Sequence, residues 1–355
     1  MTRLAMLAVA VAAIAAWGTT MSPSSLDLGV LLLTYITIAQ AMNMLAGYAG
    51  QISIGSALFV GAGGYTVALS TIHLSMPWPL ALAAAAVVSG ALAAMLSVAL
   101  LRLRGDYFAI GTLAAALAGL AFVENWMWAG GSSGLFLPAG SYPTGRTQFF
   151  LALLVATVST AVVVFVANSS FGLRLTAIRD NEAAALGLGV STTRHRFIAF
   201  VASSALIGMA GAIVAFRSVA IAPAGQFGLT WSLNGLLMPI VGGMATIVGP
   251  IIGVLVVYLG LIRLFEDAQT WSLAIQGVLL IVIVRFAPRG IWPLCVTLAR
   301  RLVSPRPAPP AGQTVGEPDP SAPDRTASTA AGDNPAEGAD PVAAASPRRS
   351  PRSKA

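Results

Sequence analysis

Runs of about 18 or more apolar residues recur through the first 290 positions, each long enough to cross ~30 Å of hydrocarbon as a helix. That repetition leaves few folds open. A chain in lipid must satisfy its own backbone hydrogen bonds, so only helices and closed barrels span a bilayer. The alternating apolar and polar strands of an outer-membrane barrel are absent. The sequence therefore reads as an all-α, polytopic helical membrane protein, in keeping with 57% apolar residues and a mean hydropathy of +0.82.

Ten apolar segments can be drawn, at about 4–21, 27–46, 51–71, 78–101, 107–128, 147–168, 197–216, 231–249, 251–265 and 272–288. The ninth is short, so the expectation is about eight to ten transmembrane helices. Arginines in short loops give the orientation. Arg3, Arg102, Arg104, Arg174, Arg179, Arg194, Arg196, Arg285, Arg289, Arg300 and Arg301 all fall on one side if ten spans are threaded. The other side receives Arg146, Arg217 and Arg263 with Asp27, Glu266 and Asp267. Both termini are then expected in the cytoplasm. The first segment also has the form of a cleaved signal peptide, with a basic start and small residues at its end. It is read here as an uncleaved first span.

Beyond residue 303 the composition turns to Pro, Ala, Ser, Asp and Arg. Residues 304–355 carry six basic and six acidic side chains, so the formal charge of +7 belongs to residues 1–303. With almost no large apolar residues to bury, 304–355 is expected to be a disordered tail.

Several functions are disfavoured. Cys295 is the single cysteine, and His73 and His195 are far apart in sequence, so no metal-ligand pattern exists. The single lysine is Lys354, which leaves no Gly-rich P-loop with its phosphate-binding Lys. No ATP motor resides in this chain. None of the acids in residues 1–303 sits mid-span, where ion-coupled carriers commonly place one.

Glycine and proline interrupt two spans. One reads GQISIGSALFVGAGGY from Gly50, the other GLLMPIVGGMATIVGPIIG from Gly235. Close packing through small residues is one reading. The other is a pair of broken helices lining a central pathway, as in transporters built from two inverted halves. These are the third and eighth segments, the third of each half in a five-plus-five inverted repeat. Gln51, Ser53, Gly55, Ser56, Gly242 and Gly243 are the candidate lining residues.

One short charged stretch, GLRLTAIRDNEAAALGLG at 172–189, lies between oily segments on the Arg-rich side. Ser169 or Ser170 can cap a helix start, and Gly187 and Gly189 offer an end. Phe171, Leu175, Ile178 and Ala185 share one face. An interfacial helix meeting lipid phosphates is the plain reading. The mixed Arg179, Asp180, Asn181 and Glu182 cluster suits a cytosolic protein partner better.

At these residues the sequence resembles a known family. AIRDNEAAALGLGVSTTRHRFIAFVASSALIGMAGAIVA is similar to the cytoplasmic coupling loop and following span of LivM-like permeases of branched-chain amino acid ABC importers. NMLAGYAGQISIGSALFVGAGGYT, RLRGDYFAIGTL, GGSSGL, GGMATIVGPIIG and LLIVIVRFAPRGIW resemble further blocks in the same order, covering about 28–292. The resemblance implies a transmembrane permease domain over 1–303, with 172–196 as its coupling loop. It implies binding of Gly172, Arg179, Asp180, Asn181, Glu182 and Gly189 to an ATPase groove. It also implies a cytoplasmic (inner) membrane location and no cofactor in this chain, ATP being bound by partner ATPase subunits. The other partners would be a second permease subunit and an extracytoplasmic solute-binding protein. Small neutral amino acids are the implied cargo; related permeases carry urea or short amides, and a passive channel or secondary carrier is the reading from another class. Asp106 after RLRG, the GAGGY glycines before Tyr65 and the long tail depart from the family pattern.

Overall fold

The computed structural model describes residues 2–20, 22–138, 140–262 and 290–303. Helices form where apolar residues run without strand-like alternation. Helix α1 spans Thr2–Gly18. Helix α2, Pro23–Met42, opens on a proline, whose missing N–H costs nothing in a first turn. It continues as a wider π-turn over Asn43–Tyr48. Then follow α3 (Ser56–Leu74), α4 (Trp78–Leu100), α5 (Asp106–Glu124) and α6 (Gly145–Asn168). Two short helices, α7 (Ser170–Asp180) and α8 (Glu182–Gly187), lead into the long α9, Thr192–Ser218. After α10 (Pro223–Gln226) come α11 (Leu229–Gly242) and α12 (Gly249–Val257), with a last helix at Ile291–Val303. Two-residue strands, Leu135–Phe136 and Ala220–Ile221, pair antiparallel with Leu135 opposite Ile221.

Helix α9 is the axis on which the others pack, touching α4, α3, α2 and α6. Lipid-solvated helices gain little from hydrophobic transfer, so close backbone approach must hold them together. Small residues supply it. A Cβ on Gly63 would overlap the Gly208 carbonyl, and one on Gly211 would overlap the Val60 carbonyl. Phe200 fills the remaining space edge-on to Phe59 and Phe108, with centroids at 5.7 and 5.8 Å. At one end of the bundle Arg217 of α9 grips Asp27 of α2 through Nε–Oδ1 at 2.7 Å and Nη2–Oδ2 at 2.8 Å. That pair is half-exposed, and such bridges contribute about 0.2–1 kcal/mol. It sets the relative height of two helices that packing already holds. Helix α5 is the least covered of the long apolar helices.

Six helices among the described residues are long and apolar enough to span a membrane: 23–48, 56–74, 78–100, 106–124, 145–168 and 192–218. They coincide with the second to seventh expected segments. The first segment folds as the 17-residue α1. The eighth and ninth become α11 and α12, of 14 and 9 residues, joined by the 243–248 loop. Pro239 lies inside α11, and Gly243 adopts φ 120°, so the eighth segment stops well short of its expected end. The tenth, 272–288, lies outside the described residues, as do Arg263, Glu266, Asp267, Arg285 and Arg289 and the tail from 304 onward. Asp27 and Arg217, expected on one side, do meet. Arg102, Arg104, Arg194 and Arg196, expected together on the other, line one cavity.

Gly63→Val places its branches against the Gly208 backbone, and overpacking of this kind costs about 1–3 kcal/mol. The expected outcome is a lower thermal midpoint in detergent than wild type. An unchanged midpoint would show that α3 and α9 do not meet there.

Candidate functional site

Among the described residues two non-helical stretches border the π-turn that ends α2: one follows it in the chain, and the other packs against it from between α11 and α12. After the π-turn of α2, residues 50–55 run non-helical up to Ser56. Between α11 and α12, residues 243–248 do likewise. Unpaired backbone in a lipid environment is tolerable only where other groups take its hydrogen bonds. Asn43 does this for the second break. Its Nδ2 donates to the Thr246 carbonyl at 2.8 Å, and its Oδ1 accepts from the Ala245 N–H at 2.8 Å. Ala245 has φ +58°, a left-handed conformation that an L side chain disfavours, so the side-chain amide holds a strained residue in place. One turn earlier, Gln40 Nε2 donates to the Ile247 carbonyl at 2.8 Å. Gly47 lies against Ala245 with no room for a Cβ.

The first break is held by α5 and by itself. The Ile54 N–H donates to Thr112 Oγ1 at 3.1 Å, and the Gly55 N–H donates to Ser53 Oγ at 3.2 Å. The Gln51 N–H donates to the Leu45 carbonyl at 3.0 Å. At the start of α3 the Ala57 N–H donates to Ser232 Oγ of α11 at 2.8 Å. Gln51, Ser53 and Ser56 are 7%, 2% and 1% exposed, far below what open loop residues show. Gln51 Oε1, Ser56 Oγ and Asn234 Oδ1 are buried without a hydrogen-bond partner among the described residues. Each such orphan costs about 1–3 kcal/mol. Gly55 sits against the Thr112 backbone, and Gly242 lies hard against Gly249 and Gly253, so α11 and α12 approach through bare backbone. The expected lining residues are thus all at or beside the breaks.

The charged stretch folds as two helices rather than one. Ser169 Oγ caps α7 by accepting from the Gly172 N–H at 3.2 Å. Asn181, in an extended conformation, ends α7, and its Oδ1 caps α8 by accepting from the Ala184 N–H at 3.0 Å. The expected apolar face is real: Leu175, Ile178 and Ala185 are buried. Gly172 lets α7 fold back against the Val166 carbonyl of α6, and Gly189 turns the chain toward α9 with φ +79°.

Two side chains tie this pair of helices to the membrane bundle. Arg179 Nη1 donates to the Gly47 carbonyl at 2.7 Å, and its Nε donates to Asp180 Oδ1 at 2.9 Å. Gly50, with φ +68°, packs on the Arg179 stem. Glu182 Oε1 accepts from Arg196 Nη1 of α9 at 2.9 Å, with side chains only 26% and 18% exposed. The face turned outward carries Asp180 with Leu173, Leu186 and Leu188, the last three 72%, 50% and 83% exposed. Sequence reasoning passed over these leucines, along with Gln40, Asn43, Ser232 and Asn234. Their signals were leucine out of phase with the buried face, and amides inside apolar spans. Among the described residues no three His, Cys, Asp or Glu side chains gather as metal ligands. His73 stacks on Trp128 at 4.2 Å, and His195 Nδ1 lies 2.7 Å from the Ser191 carbonyl.

Replacing Asn43 with Ala orphans the Thr246 carbonyl and the Ala245 N–H together, at about 1–3 kcal/mol each. Amide hydrogen exchange across 243–248 is expected to speed up by one to two orders of magnitude. Exchange at the wild-type rate would mean that Asn43 does not hold the break.

The family described as the permease component of branched-chain amino acid transport systems matches residues 25–284. The high-affinity branched-chain amino acid transport permease LivM of Salmonella typhimurium is 27% identical over 321 residues, covering 82% of this chain and 74% of that protein. LivM of Escherichia coli is 26% identical over 322 residues, with 82% and 75% covered. No solved structure matches. The family match spans well over half of the chain, agrees with its bundle of long apolar helices, and makes the chain a member of the branched-chain amino acid transport permease family.

Proposed function

We propose that this chain is the membrane-spanning permease subunit of a binding-protein-dependent ABC importer, moving branched-chain or similar small neutral amino acids inward. Family membership and the LivM relatives support the transport role. One contact carries the mechanism: the Arg179 guanidinium on the Gly47 carbonyl. It joins the α7–α8 pair to the π-turn that ends α2, and that turn touches the 243–248 break through Gly47 and Asn43. A push on α7–α8 therefore reaches both breaks through two links.

The work of pushing falls to cytosolic ATPase subunits, which hold the ATP. Leu173, Leu186, Leu188 and Asp180 offer them an exposed apolar surface beside a charge, the kind of patch that marks a protein interaction site. Arg179, Asn181, Glu182, Gly172 and Gly189 shape and anchor that surface from behind. The 172–196 loop then lies in the cytoplasm with both termini, and the Asp27–Arg217 end faces outward to receive cargo from a solute-binding protein. A second permease, different in sequence, completes the membrane pair in the inner membrane. The cargo path runs past Gln51, Ser53, Gly55, Ser56, Gly242 and Gly243. A zwitterion wants a few polar atoms and its aliphatic chain a greasy wall. Orphaned Gln51 Oε1, Ser56 Oγ and Asn234 Oδ1 within an apolar bundle supply the first, and the bundle itself the second.

Docking and transmission separate by mutation. Leu188→Asp is expected to weaken co-purification with the ATPase subunits by roughly tenfold or more, as loss of an apolar anchor does. Arg179→Ala is expected to weaken that association less than Leu188→Asp does and to abolish ATP-dependent uptake of radiolabelled leucine by the reconstituted complex. Uptake by this chain without ATPase subunits or ATP would instead establish a passive channel or carrier. Competition by alanine and urea alongside leucine fixes the cargo class.

A further inference from the structure

The cavity lined by Arg102, Arg104, Arg194 and Arg196, of about 820 Å³, opens between the end of α4 and the start of α9. It has two kinds of wall. At its boundary end stand Arg102 and Arg104, from the turn after α4, and Arg194, from the first turn of α9. All three are exposed, and none forms an ion pair among the described residues. The one carboxylate in the wall, Glu182, is already neutralised by Arg196. Asp106, two residues past Arg104, makes no ion pair with any of them. Ser191, Thr192 and Thr193 add polar atoms at the same level.

Toward the bundle the wall becomes apolar. Leu101, just past α4, then Val98 and Ala94 on it lead away from Arg102 at spacings of three and four, and Phe197 of α9 lines the same cavity. Val98 is 65% exposed and Phe197 37%. A patch with uncompensated cations at its mouth and a greasy furrow running along the helices matches one class of molecule in shape and charge. A soluble anion would use the arginines and leave the furrow wet. An acyl chain alone would leave the arginines unpaired.

We propose that this cavity binds an anionic phospholipid, its phosphodiester among Arg102, Arg104 and Arg194 and one acyl chain along Val98 and Phe197. Basic pockets between helices at a membrane boundary bind such headgroups, at about 1 kcal/mol per cation near the surface. The site shares Glu182 and Arg196 with the root of the α7–α8 pair, so occupancy stiffens the joint between that pair and α9. The lipid is thus a structural effector of the charged helices. The proposal stands independently of what the permease carries.

The full-length chain is tested in phosphatidylcholine vesicles doped with a phosphatidylglycerol bearing a diazirine in its acyl chain. Photolabelling is expected in peptides spanning 94–104 and 190–198; labelling confined elsewhere overturns the site without any variant. In detergent, native mass spectrometry is expected to show phosphatidylglycerol retained roughly tenfold over phosphatidylcholine. That preference should fall to about one in the triple variant R102Q/R104Q/R194Q and persist in R102K/R104K/R194K, whose charge is unchanged. Val98→Trp fills the furrow and should remove retention with every arginine present. Displacement of the lipid by millimolar inorganic phosphate would make this a free-anion site, and equal retention of the two lipids would end the idea.

Discussion

A side-chain amide standing in for a missing helix turn is the interaction on which the site depends. Membrane helices are regular because lipid offers the backbone nothing to bond with. Any interruption must therefore bring its own donors and acceptors. Here Asn43 binds both a carbonyl and an N–H of the 243–248 loop, and Gln40 binds a third backbone group. Thr112 and Ser232 do the same work around 54–57. Without them the 50–55 and 243–248 stretches would carry orphaned polar groups costing several kcal/mol in sum. With them, two non-helical segments are held beside the π-turn that ends α2.

That dependence also explains why the site was only half visible in the sequence. Length and hydropathy were enough for the long helices, because a span must reach across the hydrocarbon whatever it packs against. Gly50, Gly55, Gly242, Gly243 and Pro239 announced weak helix, but the expected segments 51–71 and 231–249 ran through both breaks, because close packing through small residues reads the same way. What fills a break is a matter of tertiary approach. Asn43 lies some 200 residues from the loop it holds, and an amide inside an apolar span marks it as polar without naming that partner. Gly242 illustrates the opposite ambiguity: it ends a helix and also lets α12 come close, so packing and interruption are one fact there. The charged stretch divides in the same manner. Its buried face followed from spacing. The splitting at Asn181 did not, because an Asn that caps a new helix and an Asn that faces a partner look alike in one sequence.

The anchoring of α7 and α8 bears on how force can pass through such a pair. Arg179 holds the end of α7 to the π-turn of α2, and Glu182 holds the start of α8 to α9. The two bonds lie on either side of Asn181, whose extended backbone is the one joint between the helices. A load applied to the exposed leucines therefore divides between two membrane elements. Those elements run antiparallel, and Asp27 and Arg217 pair across them at the far end. On the import reading, a push at this end tilts α2 and α9 against each other about their paired far end. Tilting moves the π-turn sideways. The first thing it meets is Ala245, a residue already held in a disfavoured conformation by a single side chain. The strained residue lies where displacement arrives, and on the import reading that makes the 243–248 break the element that yields and the 50–55 break the one that follows.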